Sequence, residues 1–269
     1  MAHLRPLGTT GLLVSPVGLG TVKFGRTEGL KYPAAFDLPD DDRLRSLLAC
    51  ALDLGVNVLD TAPAYGTSEE RIGSLRPGRR EDWIIVTKCG ESFSKGRSTY
   101  DFSPETTARS VESSLARLRT DYLDVVLIHS DGRDRAIIES LGTLEALRAF
   151  KRRGVIRAIG ISTRTPDGGV LATTHCDVVM ITLNPRDRAD EVVVEAARRA
   201  GVGVLVKKAL LSGHLSGGDV GADPVPTCLR FVLGFEGVSS ALVGTLNEAH
   251  LREAVEAARS AIDSARPQD

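Results

Sequence analysis

Four residues of this 269-residue chain have the side-chain chemistry of a tuned acid: Asp60, Tyr65, Lys88 and His129. A free tyrosine titrates near ~10 and gives up its proton poorly near neutrality. An ammonium beside it stabilises the phenolate and is expected to lower that value. Lys88 is the candidate ammonium, and Asp60 is a carboxylate that can pair with it. His129 can donate a hydrogen bond to a substrate oxygen. Brought together, the four make a general acid with a carbonyl polariser. Each also has a plainer reading when taken alone. Asp60 can cap a turn, Lys88 can be a solvated strand end, His129 a structural histidine and Tyr65 a packing residue. Only convergence favours the chemical reading, and convergence depends on the elements that carry them.

Those elements alternate. Short apolar runs suited to strands recur eight times, at Pro16–Thr21, Val56–Asp60, Ile84–Lys88, Asp124–His129, Ile156–Ile161, Asp177–Ile181, Val202–Val206 and Ala241–Gly244. Helical patterns lie between them, at Arg43–Leu54, Ser68–Leu75, Pro104–Leu118, Ala136–Arg153, Asp190–Ala200 and Asn247–Ile262. Thr67 and Glu70 have capping-box spacing, and Ser103 with Pro104 reads as a helix start. Gly154 and Gly201 read as helix stops. Apolar strands alternating with helices predict a parallel sheet covered by helices, and eight units close a (β/α)8 TIM barrel. The alternative, an open doubly wound sheet, lacks its Gly-x-Gly-x-x-Gly after the first strand. Leu4–Leu7 and Leu12–Ser15 read as an N-terminal β-hairpin able to plug the barrel floor. We expect one domain over residues 1–269, with the last four residues frayed.

The strand ends are polar or glycine: Gly20-Thr21, Asp60, Lys88, His129, Ser162-Thr163, Asn184, Lys207-Lys208 and Gly244-Thr245. In a barrel they share the C-terminal face, where such folds place their chemistry. The opposite face shows no comparable set. Seven of the twelve aromatics, Phe24, Tyr32, Phe36, Tyr65, Phe93, Tyr100 and Phe102, fall in segments over that rim, as a pocket lid would. The long loop Val22–Pro39 fits a lid as well. Trp83 precedes its strand and is placed at the floor.

Composition narrows the partners. The net charge is −1 and the hydrophobic fraction 42%, with a pI near 6.5. The longest basic run, Lys151-Arg152-Arg153, sits at a helix end, where cations suit the dipole. Neither nucleic acid nor a membrane is an expected partner. Cys50, Cys89, Cys176 and Cys228 form no Cys-x-x-Cys pair and no zinc-type cluster, so no metal is expected. Scattered thiols and the lack of a signal-like start point to the cytoplasm. Oligomeric state is open.

The stretch Asp60-Thr61-Ala62-Pro63-Ala64-Tyr65-Gly66-Thr67-Ser68-Glu69-Glu70 resembles the signature of the aldo-keto reductases. So do Thr87-Lys88, Leu127-Ile128-His129 and Gly160-Ile161-Ser162. Leu7 to Ser15, Gly18-Leu19-Gly20-Thr21 and Val243 to Leu251 match too, so the resemblance runs in order along the whole chain. It implies a barrel that binds NADP(H) across its C-terminal rim. Hydride would pass to a carbonyl carbon of a small-molecule substrate while Tyr65 protonates the oxygen, or the reverse for an alcohol. Lys88, paired with Asp60, would tune Tyr65, and His129 would orient the carbonyl.

The cofactor contacts implied are Gly20, Thr21, Asp60, Ser162, Thr163, Met180, Lys207, Ser212, Gly213, Gly244, Thr245, Asn247 and His250. Part of this has its own logic. Gly244 and Thr245 end the last strand and Asn247 caps the final helix, whose amides and dipole suit phosphate. The glycine-rich loop from Ser212 to Gly218 can approach a pyrophosphate. Four positions, Thr163, Met180, Lys207 and His250, depart from the family pattern. Ser162, Thr163 and Met180 stand where it has a Ser-Asn pair and a glutamine. Lys207 stands where an aromatic often stacks on the nicotinamide, and His250 where an arginine often meets the 2′-phosphate. The expectation is a weaker grip, with NADP(H) slightly preferred and NAD(H) possible. Two other functions remain: a non-catalytic nicotinamide-binding regulatory subunit, and a Schiff-base lyase using Lys88, Lys207 or Lys208.

Overall fold

Strands whose alternate residues are all apolar must bury both faces, and here each face finds its own core. The computed structural model describes residues 3–30, 32–33, 35–215 and 221–264. It opens with β1 (Arg5–Pro6), β2 (Leu13–Val14) and β3 (Val17–Gly20), then α1 (Asp41–Asp53), β4 (Val58–Asp60) and α2 (Ser68–Leu75). Next come β5 (Ile84–Cys89), β6 (Glu91–Ser94), β7 (Arg97–Tyr100), α3 (Pro104–Leu118) and β8 (Leu123–His129). α4 (Asp134–Glu139), α5 (Thr143–Arg152), β9 (Ile156–Ser162), α6 (Pro166–Ala172) and β10 (Val178–Thr182) follow. The last are α7 (Glu191–Ala200), β11 (Gly203–Lys207), α8 (Pro224–Leu233), β12 (Val238–Val243) and α9 (Glu248–Ser264).

Strands β3, β4, β5, β8, β9, β10, β11 and β12 form a closed barrel in that order. Every neighbouring pair is parallel, β12 closing onto β3. This is the (β/α)8 barrel, and closure excludes the open sheet. The period of two sorts the side chains. Val58, Val86, Val125, Leu127, Val178, Met180, Leu205 and Leu242 fill the barrel interior. Their neighbours Leu59, Ile85, Val126, Ile128, Val179, Ile181, Val204 and Val243 face the helices and pack with Leu44, Leu47, Val111 and Leu251.

The N-terminal hairpin β1–β2 is present and plugs the floor. Leu7, Leu12 and Val14 belong to the interior core. Glycines make room there: a Cβ on Gly203 would sit 2.6 Å from Leu7 Cδ1, and one on Gly18 2.7 Å from Leu242 Cδ2. The Arg5 guanidinium fastens the hairpin by donating to Val238 O at 2.8 Å and Leu233 O at 3.1 Å. Trp83 is fully buried and donates to Pro77 O at 2.8 Å, a packing role.

Several expectations need correction. Ala136–Arg153 is two helices, because Gly142 at φ +80 breaks the run. The capping box at Thr67 does not form: Thr67 makes no side-chain cap. Ser103 does cap α3, accepting from Thr106 N at 3.3 Å. α6 and α8 were not foreseen, because paired glycines in one and two prolines in the other hide the helical period. In α6 the glycines allow close packing, since a Cβ on Gly169 would lie 2.6 Å from Val193 Cγ2. The N-terminal face does carry a polar set. Asp124 meets Arg80 at 2.7 Å and Arg157 at 3.0 Å, and Asp177 meets Lys151 at 2.6 Å. These groups satisfy one another, so they hold the barrel base together. No helix among the described residues is long and apolar enough to cross a membrane.

Candidate active site

The inward pleat that fills the barrel with apolar side chains changes character at its last layer. One step past Val58 is Asp60, past Val86 is Lys88, past Leu127 is His129 and past Leu205 is Lys207. Gly20, Ser162, Thr182 and Gly244 occupy the same layer on the other strands by the same alternation. Strand geometry alone therefore gathers these residues at the C-terminal mouth. Thr182 was not singled out by the sequence; its neighbour in that reading, Asn184, lies beyond the strand.

Lys88 Nζ lies 2.5 Å from Asp60 Oδ1 and donates to Thr61 O at 2.8 Å. Burial alone would drive the Lys88 pKa down, but Asp60 and Tyr65 outweigh it and hold it above its ordinary value. Lys88 is thus a fixed ammonium. Tyr65 closes a short 3-10 turn, Pro63–Tyr65, directly after this pair. Its ring lies 4.7 Å from Lys88 Nζ, so the loop does fold back over the mouth. The expected lowering of the phenol is not the net result. Burial pushes the Tyr65 pKa up to about 12 against the pull of Lys88, with Asp60 adding to the rise. Tyr65 is therefore a neutral hydrogen-bond donor.

The loop that carries Tyr65 is held by hydroxyls. Thr21 Oγ1 donates to Asp60 O at 2.9 Å and lies 2.7 Å from Ser68 Oγ. Thr61 Oγ1 lies 3.0 Å from the same Ser68 oxygen. Glu69, fully buried, accepts from Thr87 Oγ1 at 2.5 Å and Arg117 Nε at 2.7 Å, tying α2 to β5 and α3. None of these supports was foreseen, because Ser68 and Glu69 read as ordinary first-turn residues.

His129 stands edge-on to Tyr65, ring centroids 6.3 Å apart. Its Nδ1 is 2.6 Å from Glu91 Oε2. Burial lowers the His129 pKa, Glu91 opposes, and Lys88 and Lys207 add to the lowering. Glu91 begins β6, part of a hairpin the sequence reading passed over. Lys207 Nζ donates to Ser162 Oγ and Thr163 O, both at 2.8 Å. Burial, then the neighbouring Lys208, push its pKa down to about 7.

A cavity of about 480 Å³ runs from Asp60 and Tyr65 along the mouth to the start of α9. Of the residues singled out by sequence, Gly20, Thr21, Lys207, Ser212, Gly213, Gly244, Thr245 and His250 also line it. Lys88, His129, Ser162, Thr163, Met180 and Asn247 do not. Met180 packs in the barrel interior beneath the mouth. Asn247 Oδ1 accepts from Ala249 N at 2.8 Å at the head of α9. Lys23, Tyr32, Lys208 and Glu253 also line it, among apolar side chains such as Leu210, Val225 and Leu242. Tyr32 packs against Phe36 and under Lys23, which lies 3.9 Å from its ring. Two of the expected lid aromatics are instead core: Phe24 and Phe102 are buried among the helices. Ser216, Gly217, Gly218 and Lys31 lie outside the described residues, as do the last residues of the chain.

The donor set fits a nicotinamide dinucleotide unevenly. At the α9 end, backbone amides, Lys23, Lys208 and His250 suit phosphate. At the Tyr65 end, Lys207 already holds Ser162 and Thr163 O, while Thr163 Oγ1 is buried without a partner.

Residues 16–227 match the model of the Aldo/keto reductase family. A Pseudomonas aeruginosa chain assigned to the aldo-keto reductases superposes with a TM-score of 0.87 at 48% identity, over 97% of this chain and 96% of that one. L-galactose dehydrogenase of Arabidopsis thaliana is 30% identical over 95% of this chain and 88% of its own. An uncharacterized oxidoreductase of Bacillus subtilis is 35% identical over 61% of this chain, and that match spans about half, 49%, of its length.

Proposed function

The chain belongs to the aldo/keto reductase family, and on that premise we propose that it interconverts a carbonyl and an alcohol using NADP(H) or NAD(H), with Tyr65 as the general acid and base. The observation that carries this reading is the Lys88–Asp60 pair beside the Tyr65 ring, with His129 edge-on to the same ring. A phenol kept neutral in this setting is ready to give a proton to a carbonyl oxygen as charge develops there. Lys88 stabilises the phenolate that remains, and Asp60 keeps Lys88 charged. The bound nicotinamide supplies or takes up the hydride. Gly20, Gly244, Thr245, Ser212, Gly213 and His250 would hold that cofactor along the cavity. Lys207, held by Ser162 Oγ and Thr163 O, would meet its reactive end.

NADP(H) is favoured slightly over NAD(H), because Lys208 and the His250 imidazole line the cavity toward α9 where they can meet a 2′-phosphate, while Glu253 opposes. The Arabidopsis relative is a sugar dehydrogenase by name, so sugars belong among the candidate substrates. The test is a panel of carbonyls and alcohols assayed with both reduced and both oxidised nicotinamides. Cofactor-dependent turnover is expected. No turnover with any member, by a chain that binds nicotinamide, would favour a regulatory subunit instead.

A further inference from the structure

Lys207 lines the cavity as a cation without a carboxylate of its own. It ends β11 in the same inward layer as Lys88. Lys88 meets Asp60, whereas Lys207 Nζ meets Ser162 Oγ and Thr163 O, each at 2.8 Å. An ammonium carries three N–H donors. Two are spent on these contacts, and the third has no protein partner among the described residues. Asp190, at the head of α7, is the carboxylate that acts on Lys207, and its Oδ2 already accepts from Thr182 N at 3.0 Å. The other charges acting on Lys207 are positive: Lys208 next along the chain, Lys88 from β5 and Arg164 from the loop after β9. Arg164 donates to the Tyr100 hydroxyl at 2.9 Å rather than to a carboxylate.

The wall around that third N–H is short of acceptors. Ser162 Oγ and Thr163 O are spent on Lys207. Thr163 Oγ1 is buried and does not line the cavity. The Met180 thioether is a weak acceptor and packs in the barrel interior. A carboxamide brings one acceptor oxygen and an NH2 group that needs acceptors. Here only its oxygen is served. A carboxylate brings acceptors alone, and its charge meets the uncompensated ammonium in a charge-assisted hydrogen bond.

We propose that Lys207 makes this part of the cavity a carboxylate receptor, so that the chain binds pyridine dinucleotides bearing a 3-carboxylate more tightly than those bearing the 3-carboxamide of nicotinamide. An oxidised pyridine ring is itself positive. With an amide at C3 it sets like charge against Lys207, and with a carboxylate at C3 that charge is offset. A dinucleotide held in this way occupies the cavity that NADP(H) would use and competes with it. The preference rests on the reading that places the pyridine end of a dinucleotide beside Lys207.

Isothermal titration calorimetry of the full chain tests this without turnover. Nicotinic acid adenine dinucleotide is compared with NAD+, and nicotinic acid adenine dinucleotide phosphate with NADP+. Each pair differs only at the C3 substituent, so contacts at the adenosine end cancel. The titrations are run at about pH 6, where Lys207 is protonated. Burial and Lys208 bring its pKa down to about 7, Asp190 opposes, and Lys88 and Arg164 add to the lowering, with His129 facing it from β8. Within each pair the carboxylate form is expected to bind about tenfold tighter, the value of one hydrogen bond to a charged group. Lys207→Met should erase the difference. Lys207→Gln, whose amide offers both a donor and an acceptor, should turn it toward the carboxamide. Equal binding in the wild type, or tighter binding of the carboxamide form, overturns the proposal and leaves the nicotinamide reading standing. A carboxylate preference that survives in folded Lys207→Met also overturns it, and moves the receptor to Lys208 or Arg164. If none of the four dinucleotides binds, the nicotinamide reading falls, and the carboxylate receptor with it.

Discussion

Lys88 and Asp60 meet across neighbouring strands with Nζ 2.5 Å from Oδ1, and their side chains are only 2% and 9% exposed. Removing one partner of such a pair leaves the other charged and unsolvated. Asp60→Asn is expected to destabilise the fold by about 3–5 kcal/mol. It should also weaken catalysis, because Lys88 without its carboxylate surrenders its proton more readily. Urea unfolding with parallel rate measurements checks both. Unchanged stability would mean that the pair is more hydrated than its burial implies.

Tyr65→Phe removes one hydroxyl and keeps the ring. Loss of a general acid typically costs about 10²–10⁴-fold in rate. Turnover should fall by at least that lower bound, with nicotinamide affinity unchanged by titration. Retained rates would show that the proton comes from elsewhere.

The barrel was legible because its strands are apolar on both pleats and its polar strand ends coincide. The same alternation made Asp60, Lys88 and His129 readable as one layer. Glu91 was not readable, because it reaches His129 through a hairpin whose residues, Glu91–Ser94 and Arg97–Tyr100, lack a clear apolar alternation. Phe24 and Phe102 were misread as lid residues because sequence position shows which rim a segment lies near, not which way its ring turns. The net pKa of Tyr65 was misjudged for a related reason: a nearby cation can be inferred from sequence, but the degree of burial that opposes it cannot.

Lys207 changes charge near neutrality, since its pKa is pushed down to about 7. Below that value it is a cation, and above it is neutral. An oxidised nicotinamide ring is itself cationic, so it should bind less tightly at about pH 6 than at about pH 8.5, by roughly threefold or more. The reduced, uncharged ring should respond less. Lys207→Met should flatten the difference. Borohydride trapping of carbonyl substrates without nicotinamide tests the rival lyase chemistry, and a covalent lysine adduct formed under those conditions would favour it.

His250 and Glu253 share the far end of the cavity. His250→Arg places a permanent cation there and should tighten NADPH by about fivefold, as a partly exposed ion pair does, with NADH unchanged. Equal tightening of both cofactors would move the 2′-phosphate site elsewhere.

Gly66 follows Tyr65 and holds φ +61, ψ −122, a region that side-chain-bearing residues avoid. A Cβ there would also run into Gly25 O, and a Cβ on Gly25 would run into the backbone at Thr67 and Ser68. The two glycines let the loop after β3 lie directly on the Tyr65 loop, which Arg26 further ties down by donating to Ala64 O at 3.2 Å. Gly66→Ala must therefore do more than strain one residue by about 1–3 kcal/mol. It must part the two loops, and Tyr65 moves with them. Activity should fall well beyond what the loss of stability explains, with the barrel's circular dichroism intact. A variant that loses stability but keeps the wild-type rate per folded molecule would show that the Tyr65 turn is held by Thr21, Thr61 and Ser68 alone.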